Sequence, residues 1–275
     1  MKLFIDSAQL DELEKAYATG IVDGITTNPS LVKVALDDMR KKKRKMDIAT
    51  YITEILTLAK GTPVSLEVAS TDANAMIEEG QTLYTKFNPL ANNVVIKIPV
   101  NSSATGKAKN LDALRAIKSL SQARIPVNAT LIFTPEQALL AAKAGATYIS
   151  PFAGRVDDYI RTQHGIGFEK EDYYPAEGHI AGGKHIQDNG IVSGVDLVIK
   201  CVQIIKSYGF KTQVIAASIR NAHQLREVAL AGTHIATIPF ALFQNLSVHA
   251  KTIDGVKKFD EDMPSEYTKL AQGKK

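Results

Sequence analysis

Eight short apolar runs, each followed by a stretch of helical periodicity, constrain this chain more than any other feature. The runs are Lys2–Asp6, Gly24–Thr27, Val64–Ala69, Val94–Ile98, Pro126–Leu131, Tyr148–Phe152, Gln213–Ala217 and Ile235–Pro239. Helical patterns lie between them at Ala8–Thr19, Asp47–Ala59, Ala73–Phe87, Asn110–Gln122, Pro135–Ala144, Ser193–Tyr208 and Ala222–Ala231. Phe240–Val248 can supply an eighth helix. Strand and helix in alternation imply a parallel sheet, and eight such units in about 250 residues predict an α/β fold, a single (β/α)8 TIM barrel. A doubly wound sheet is the rival, but no Gly-rich dinucleotide turn follows the first strand. Local signals agree: Thr134-Pro135 reads as a helix start, and Gly145 and Gly232 stand where helix ends want a left-handed residue.

No compositional shift marks a second domain. The expected organisation is one barrel domain over 1–275, with 161–190 as a long loop insertion and 249–275 as a C-terminal helical tail broken near Pro264. The net charge of +4 comes from one place, the six basic residues Arg40–Lys45. Without them the chain carries 27 basic and 29 acidic residues. No aromatic residue interleaves the run, so a solvated helix end is expected there rather than a nucleic-acid partner. No apolar run reaches the roughly 18 residues a membrane helix needs. The first residues enter a strand without the apolar core of a signal peptide, and the one cysteine, Cys201, rules out an internal disulfide; a reducing cytoplasm is the expected compartment.

Strands of a parallel barrel are buried on both faces and should be nearly all apolar. Here they break that rule near their C-terminal ends. Asp6 ends the first, Thr26, Thr27 and Asn28 the second. Glu67 interrupts the third, Lys97 the fourth, Asn128 and Thr130 the fifth. Ser150 closes the sixth, followed by Arg155; Ser218 and Arg220 close the seventh. Unpaired buried polar groups are costly, so polar groups at one end of seven strands imply one shared pocket, where barrel enzymes keep their chemistry. Lys97 is the informative member. Burial disfavours its charged form, and a free amine on a rigid strand is what Schiff-base chemistry with a carbonyl needs. Asp6 and Glu67 could serve as acid and base, although Asp6 before Ser7 could instead cap the first helix. Asn28, Asn128, Thr130 and Ser150 suit a hydroxyl-rich substrate, and Arg155 and Arg220 suit a phosphate. Two other patterns carry less. Gly178–His185 nearly matches a P-loop, but His185 stands where Ser or Thr must hold magnesium. His164, His179 and His185 with Asp172 match no compact metal-ligand spacing, so no metal is expected.

Phe4-Ile5-Asp6-Ser7-Ala8, Gly24–Leu31 with its Thr-Thr-Asn-Pro-Ser block, Val94–Pro99, Gly145–Arg155 and Ala216–Arg220 strongly resemble the transaldolase family, which includes the fructose-6-phosphate aldolases. The resemblance covers most of residues 1–245 in order. It implies a class I, Schiff-base barrel enzyme without cofactor, acting on sugar phosphates. By position, Lys97 would attack the ketose carbonyl, and Asp6 would take the proton from the hydroxyl at the bond that breaks. Glu67 and Thr130 would hold the water that shuttles protons. Asn28, Asn128 and Ser150 would hold the dihydroxyacetone moiety, with Thr27 and Phe152 in the same pocket, and Arg155, Ser218 and Arg220 would bind phosphate. The aldolase branch carries Gln at the slot of Glu67, Tyr at that of Phe152 and Lys at that of Arg220. This chain makes the transaldolase-like choice at all three. The resemblance thus implies transfer of dihydroxyacetone from sedoheptulose 7-phosphate or fructose 6-phosphate to an aldose phosphate, with fructose-6-phosphate aldolase as the alternative. An oligomer of identical chains is expected. The basic run, the stretch Asn101–Asn110 and the long loop depart from the family's short members.

Overall fold

Eight parallel strands close into a barrel in a computed structural model that describes residues 1–42, 46–103 and 111–272. They are β1 (Lys2–Asp6), β2 (Gly24–Thr26), β3 (Val64–Glu67), β4 (Val94–Pro99), β5 (Val127–Ile132), β6 (Tyr148–Pro151), β9 (Gln213–Ala216) and β10 (Ile235–Ile238), in that spatial order, with β10 closing on β1. Between β6 and β9 a separate two-stranded hairpin forms from β7 (Ile180–Ala181) and β8 (Lys184–His185).

Side chains alternate along a strand, so residues two apart share a face. Inside the barrel this rule builds a floor and a mouth. Phe4, Ile215 and Ile235, with Tyr148 packed on them, form an apolar plug. Gly24 makes room for it: a Cβ there would stand 2.6 Å from the Phe4 ring. Two residues further along the same strands come Asp6, Ala217, Thr237, Ser150 and Thr26. The plug closes one end of the interior, and the polar residues crowd the other. The larger core lies outside the sheet, where Ile25, Ile96 and Ile98 meet Leu13, Leu56, Met76, Ile117 and Leu120 of the surrounding helices, all nearly or fully excluded from solvent. Each such side chain contributes about 1.5–3 kcal/mol on burial.

The helices of this unit are α1 (Leu10–Tyr17), α2 (Pro29–Lys41), α3 (Ile48–Leu58), α4 (Ala73–Ala91), α5 (Asp112–Gln122), α6 (Pro135–Ala144), α7 (Ala153–Gln163), α8 (Gly194–Ser207), α9 (Ala222–Leu230) and α10 (Phe240–Phe243). Asn28, Asp47, Asp72, Thr134, Ser193 and Asn221 cap their starts through side-chain oxygens. Each such cap is worth about 1 kcal/mol. Gly145 ends α6 at φ +97°.

Several elements differ from expectation. Helix α4 runs past Phe87 through Pro89 and stops on left-handed Asn92. Helix α10 has four residues where Phe240–Val248 was expected, and turns follow it. Helices α2 and α7 are additions. Within 161–190 the near P-loop is the β7–β8 hairpin, whose two-residue Gly182-Gly183 turn has positive φ at both positions, as such hairpins require. In the basic run, Arg40 pairs with Asp37, and Lys42 pairs with Asp11 and Asp38. Lys43–Lys45 lie outside the described residues, as does 104–110 of the polar stretch.

The described residues from Gln244 onward form a second compact unit. It contains α11 (Ala250–Glu261) and α12 (Ser265–Ala271), with the expected break at Pro264. Ile253, Val256 and Phe259 of α11 are exposed. Among the described residues no helix is long and apolar enough to cross a membrane.

Candidate active site

The polar strand ends line a cavity of about 330 Å³ at the barrel mouth. Asp6, Thr26, Asn28, Lys97, Thr130, Ser150, Phe152, Arg155, Ser218, Arg220 and Thr237 all face it. Of the residues expected at the site, Thr27, Glu67 and Asn128 do not line the cavity. They stand directly behind it and hold those that do.

Lys97 is 4% exposed. Its Nζ donates to the Thr27 carbonyl at 2.8 Å and pairs with Glu67 Oε2 at 3.2 Å. Strand register explains the pairing, since Glu67, Lys97 and Asn128 are direct neighbours across β3, β4 and β5. Thr27 is itself fixed by its hydroxyl on the Ser65 carbonyl at 2.7 Å. Buried Asn128 donates to Ser65 Oγ at 3.2 Å and accepts from Ser150 Oγ at 2.7 Å. The amine therefore sits at the end of a polar lattice with few free rotamers.

Asp6 does not cap α1, whose N-cap is Gln9. It accepts from Thr26 Oγ1 at 2.7 Å, and that hydroxyl also meets Thr237 Oγ1 at 2.6 Å. Burial raises the Asp6 carboxyl above the usual aspartate range, against the opposing pull of Lys97, the Thr26 hydrogen bond and Arg155. Asn28 spends its oxygen on Leu31 N–H at 3.0 Å, capping α2. Thr130 Oγ1 is buried without a partner among the described residues, at a place where β5 breaks register with β6 and Leu131 takes φ +55°. Strain and an orphan hydroxyl at one strand end mark a place built to receive a ligand or water.

The arginines line the same cavity. The Arg155 guanidinium lies 5.0 Å over the Phe152 ring, which stacks obliquely on Phe133. Arg220 pairs with Asp158 at 2.7 Å, while its buried Nε has no partner among the described residues. Gly154 permits this approach: a Cβ there would come within 2.3 Å of the Ser218 carbonyl and 2.5 Å of Arg220 Nε. Ser218 itself is held at φ +60°.

Asp157, on the buried face of α7, supports this wall. It accepts from Gly194 N–H at 2.6 Å and from Gln224 Nε2 at 2.5 Å, and Gln224 Oε1 accepts the Arg220 N–H at 2.8 Å. Burial pushes the Asp157 carboxyl up to about 7, against those two bonds and the nearby Arg161. A carboxyl raised in the folded state gives its full stability below the ordinary value near 3.8 and loses it as pH rises through about 7. Asparagine mimics the protonated acid. Asparagine keeps only one acceptor oxygen and so gives up one of the two bonds; Asp157→Asn is therefore expected to be somewhat less stable than wild type in urea unfolding near pH 4 and to gain on it as pH rises through about 7. A difference that stays constant with pH would contradict this.

Thr26 and Thr237 complete the Asp6 network; Thr26 was among the polar strand ends expected at the shared pocket, without a role of its own, and Thr237 was not. Thr237 carried a signal, being the lone polar residue within Ile235–Ile238. Lys170 also lines the cavity and carried none. Among the described residues no three His, Cys or acidic side chains gather to hold a metal.

Similarity to known proteins extends over nearly the whole chain. The family model described as "Transaldolase/Fructose-6-phosphate aldolase" matches residues 3–273. A probable transaldolase of Chlorobium phaeobacteroides (strain DSM 266 / SMG 266 / 2430) is 40% identical over 262 residues, covering 95% of this chain and 96% of its own. Those of Anaeromyxobacter sp. (strain K) and Geobacillus thermodenitrificans (strain NG80-2) are 40% and 38% identical over the same length, with 96% and 98% of their own chains covered.

Proposed function

We propose that this chain, which belongs to the transaldolase/fructose-6-phosphate aldolase family, is a transaldolase working through a Schiff base on Lys97. The observation that carries the reading is a buried amine, paired with one carboxylate and facing a second, beneath a wall of two arginines.

The chemistry follows from that arrangement. Lys97 attacks the carbonyl carbon of fructose 6-phosphate or sedoheptulose 7-phosphate as its proton passes to Glu67. Loss of water, with Glu67 and Thr130 handling the protons, leaves a protonated imine. Asp6 then takes the proton from the hydroxyl on the far carbon of the bond to be broken. The bond breaks, its electron pair moves into the imine to form an enamine, and an aldose phosphate leaves. A second aldose phosphate enters, the enamine attacks its aldehyde, and Asp6 returns the proton. Water then releases the new ketose. Preorganised charge that is already paid for in folding makes each step cheaper. Asn28 and Ser150 orient the three-carbon unit, and Arg155, Ser218 and Arg220 hold the phosphate.

Borohydride reduction in the presence of fructose 6-phosphate, followed by peptide mapping, tests this reading. The adduct is expected on the Lys97 peptide, and an unmodified Lys97 peptide would overturn it. Transfer rather than release is expected because Phe152 lacks a phenol to protonate the enamine. Turnover of fructose 6-phosphate is therefore expected to depend on added erythrose 4-phosphate. Full turnover without acceptor would instead identify an aldolase releasing dihydroxyacetone. The reading places the chain in the cytoplasm, in the non-oxidative pentose phosphate pathway, as an oligomer of identical subunits.

A further inference from the structure

We infer that Lys170, at the tip of the long loop between α7 and β7, is a third phosphate-binding cation that sets preference for phosphorylated sugars. The inference rests on the reading above and extends it to a residue outside the barrel strands.

Lys170 occupies the second position of a tight turn. The Asp172 N–H donates to the Glu169 carbonyl at 3.0 Å, and the Asp172 carboxylate accepts the Glu169 N–H at 2.8 Å. The turn is fastened beside the arginine wall. Asn221, the residue after Arg220, caps α9 with its oxygen and donates its amide to the Glu171 carbonyl at 3.2 Å. Behind the turn, buried Arg161 donates to the carbonyls of Asp172 and Tyr173 at 3.1 and 2.8 Å and lies over the rings of Phe168 and Tyr174. Two independent anchors thus hold an exposed lysine at the cavity mouth.

Charge balance gives the lysine a task. Arg155 and Arg220 supply two positive charges, but Asp158 pairs with Arg220 at 2.7 Å and offsets one. The wall is then left with a net charge near +1, against about −1.5 to −2 for a phosphate monoester at neutral pH. Lys170 lines the same cavity and makes no hydrogen bond or ion pair among the described residues. Its neighbours Glu169 and Glu171, like Asp158, do not line the cavity, but unlike Asp158 they pair with none of Arg155, Lys170 and Arg220 among the described residues. Adding Lys170 brings the wall to about +2, which matches the dianion.

The test compares kcat/KM for fructose 6-phosphate with kcat/KM for fructose, in wild type, Lys170→Met and Lys170→Arg. The ratio is expected to fall about tenfold in Lys170→Met, through KM for the phosphorylated sugar, and to stay within about twofold in Lys170→Arg. The inhibition constant of inorganic phosphate should rise by a similar factor in Lys170→Met. An unchanged ratio, or equal losses on both sugars, would overturn the inference. Borohydride trapping at Lys97 is measured in the same series. Normal trapping with an unchanged ratio removes only the role of Lys170. Absent trapping with phosphate binding weakened in Lys170→Met removes the reaction and supports the phosphate subsite.

Discussion

Lys97→Met is expected to lower transfer of the dihydroxyacetone unit by at least about 10⁴-fold, because the other amine lining the cavity, Lys170, is exposed on a loop turn and lacks the Glu67 partner that moves the protons of imine formation. Methionine keeps the length and apolar stem of lysine, so the buried path through β4 stays filled. What it removes is the nitrogen that bridges the Thr27 carbonyl and Glu67 Oε2. Glu67 is then left as a mostly buried carboxylate without its cation, which is destabilising in its own right. Some loss of thermal stability is therefore expected alongside the loss of activity, and circular dichroism should still report a folded barrel. Lys97→Arg separates the two effects. It restores a cation for Glu67, yet a guanidinium does not deprotonate and cannot form the imine. Stability is expected to recover while activity stays lost. Activity above about 1% of wild type in either variant would remove Lys97 from the chemistry.

The barrel and the centre of its mouth were legible because both follow from simple periodicities. Strand–helix alternation leads to a closed parallel sheet, and a polar residue on a doubly buried strand has few places to point except the pocket. Lys97, Asp6, Thr130 and Ser150 were readable on that ground alone. Helix α7 was not, because its buried face carries Asp157 and Arg161 where hydrophobic periodicity expects apolar side chains. Asp157 supports Gln224 and through it the Arg220 backbone, and Arg161 anchors the loop. Helix α2 was hidden for a related reason, since its last turn runs into the basic cluster. The division between residues that line the cavity and those behind it was also beyond reach. It depends on which neighbour each polar side chain is bonded to: Glu67 pairs with Lys97, and Asn128 with Ser65 and Ser150. Lys170 was unreadable because a loop residue reaches a site only through tertiary anchors, here Asn221 and Arg161.

Asp6→Asn is expected to separate carbon–carbon bond breaking from imine formation. Lys97 and Glu67 remain paired, so borohydride trapping should persist, while kcat for transfer falls by about 10²–10⁴-fold for want of a base at the hydroxyl. The pH dependence follows from the same carboxyl. Burial raises it above the usual aspartate range, so the base is lost to protonation at a higher pH than an ordinary aspartate would allow. The acid limb of wild-type kcat should lie correspondingly high, and residual activity in Asp6→Asn should lack that limb. Stability should move the opposite way to activity. A raised carboxyl gives its full stability below its ordinary value and loses it as pH rises through the folded one. Asparagine mimics the protonated acid and can still accept from Thr26 Oγ1. Asp6→Asn should therefore melt like wild type in acid and higher than wild type at pH 8, with Lys97 and Arg155 limiting the gain because they favour the ionised form. Lower thermal stability than wild type at pH 8, or loss of borohydride trapping, would mean that Asp6 holds the site together rather than moving its proton.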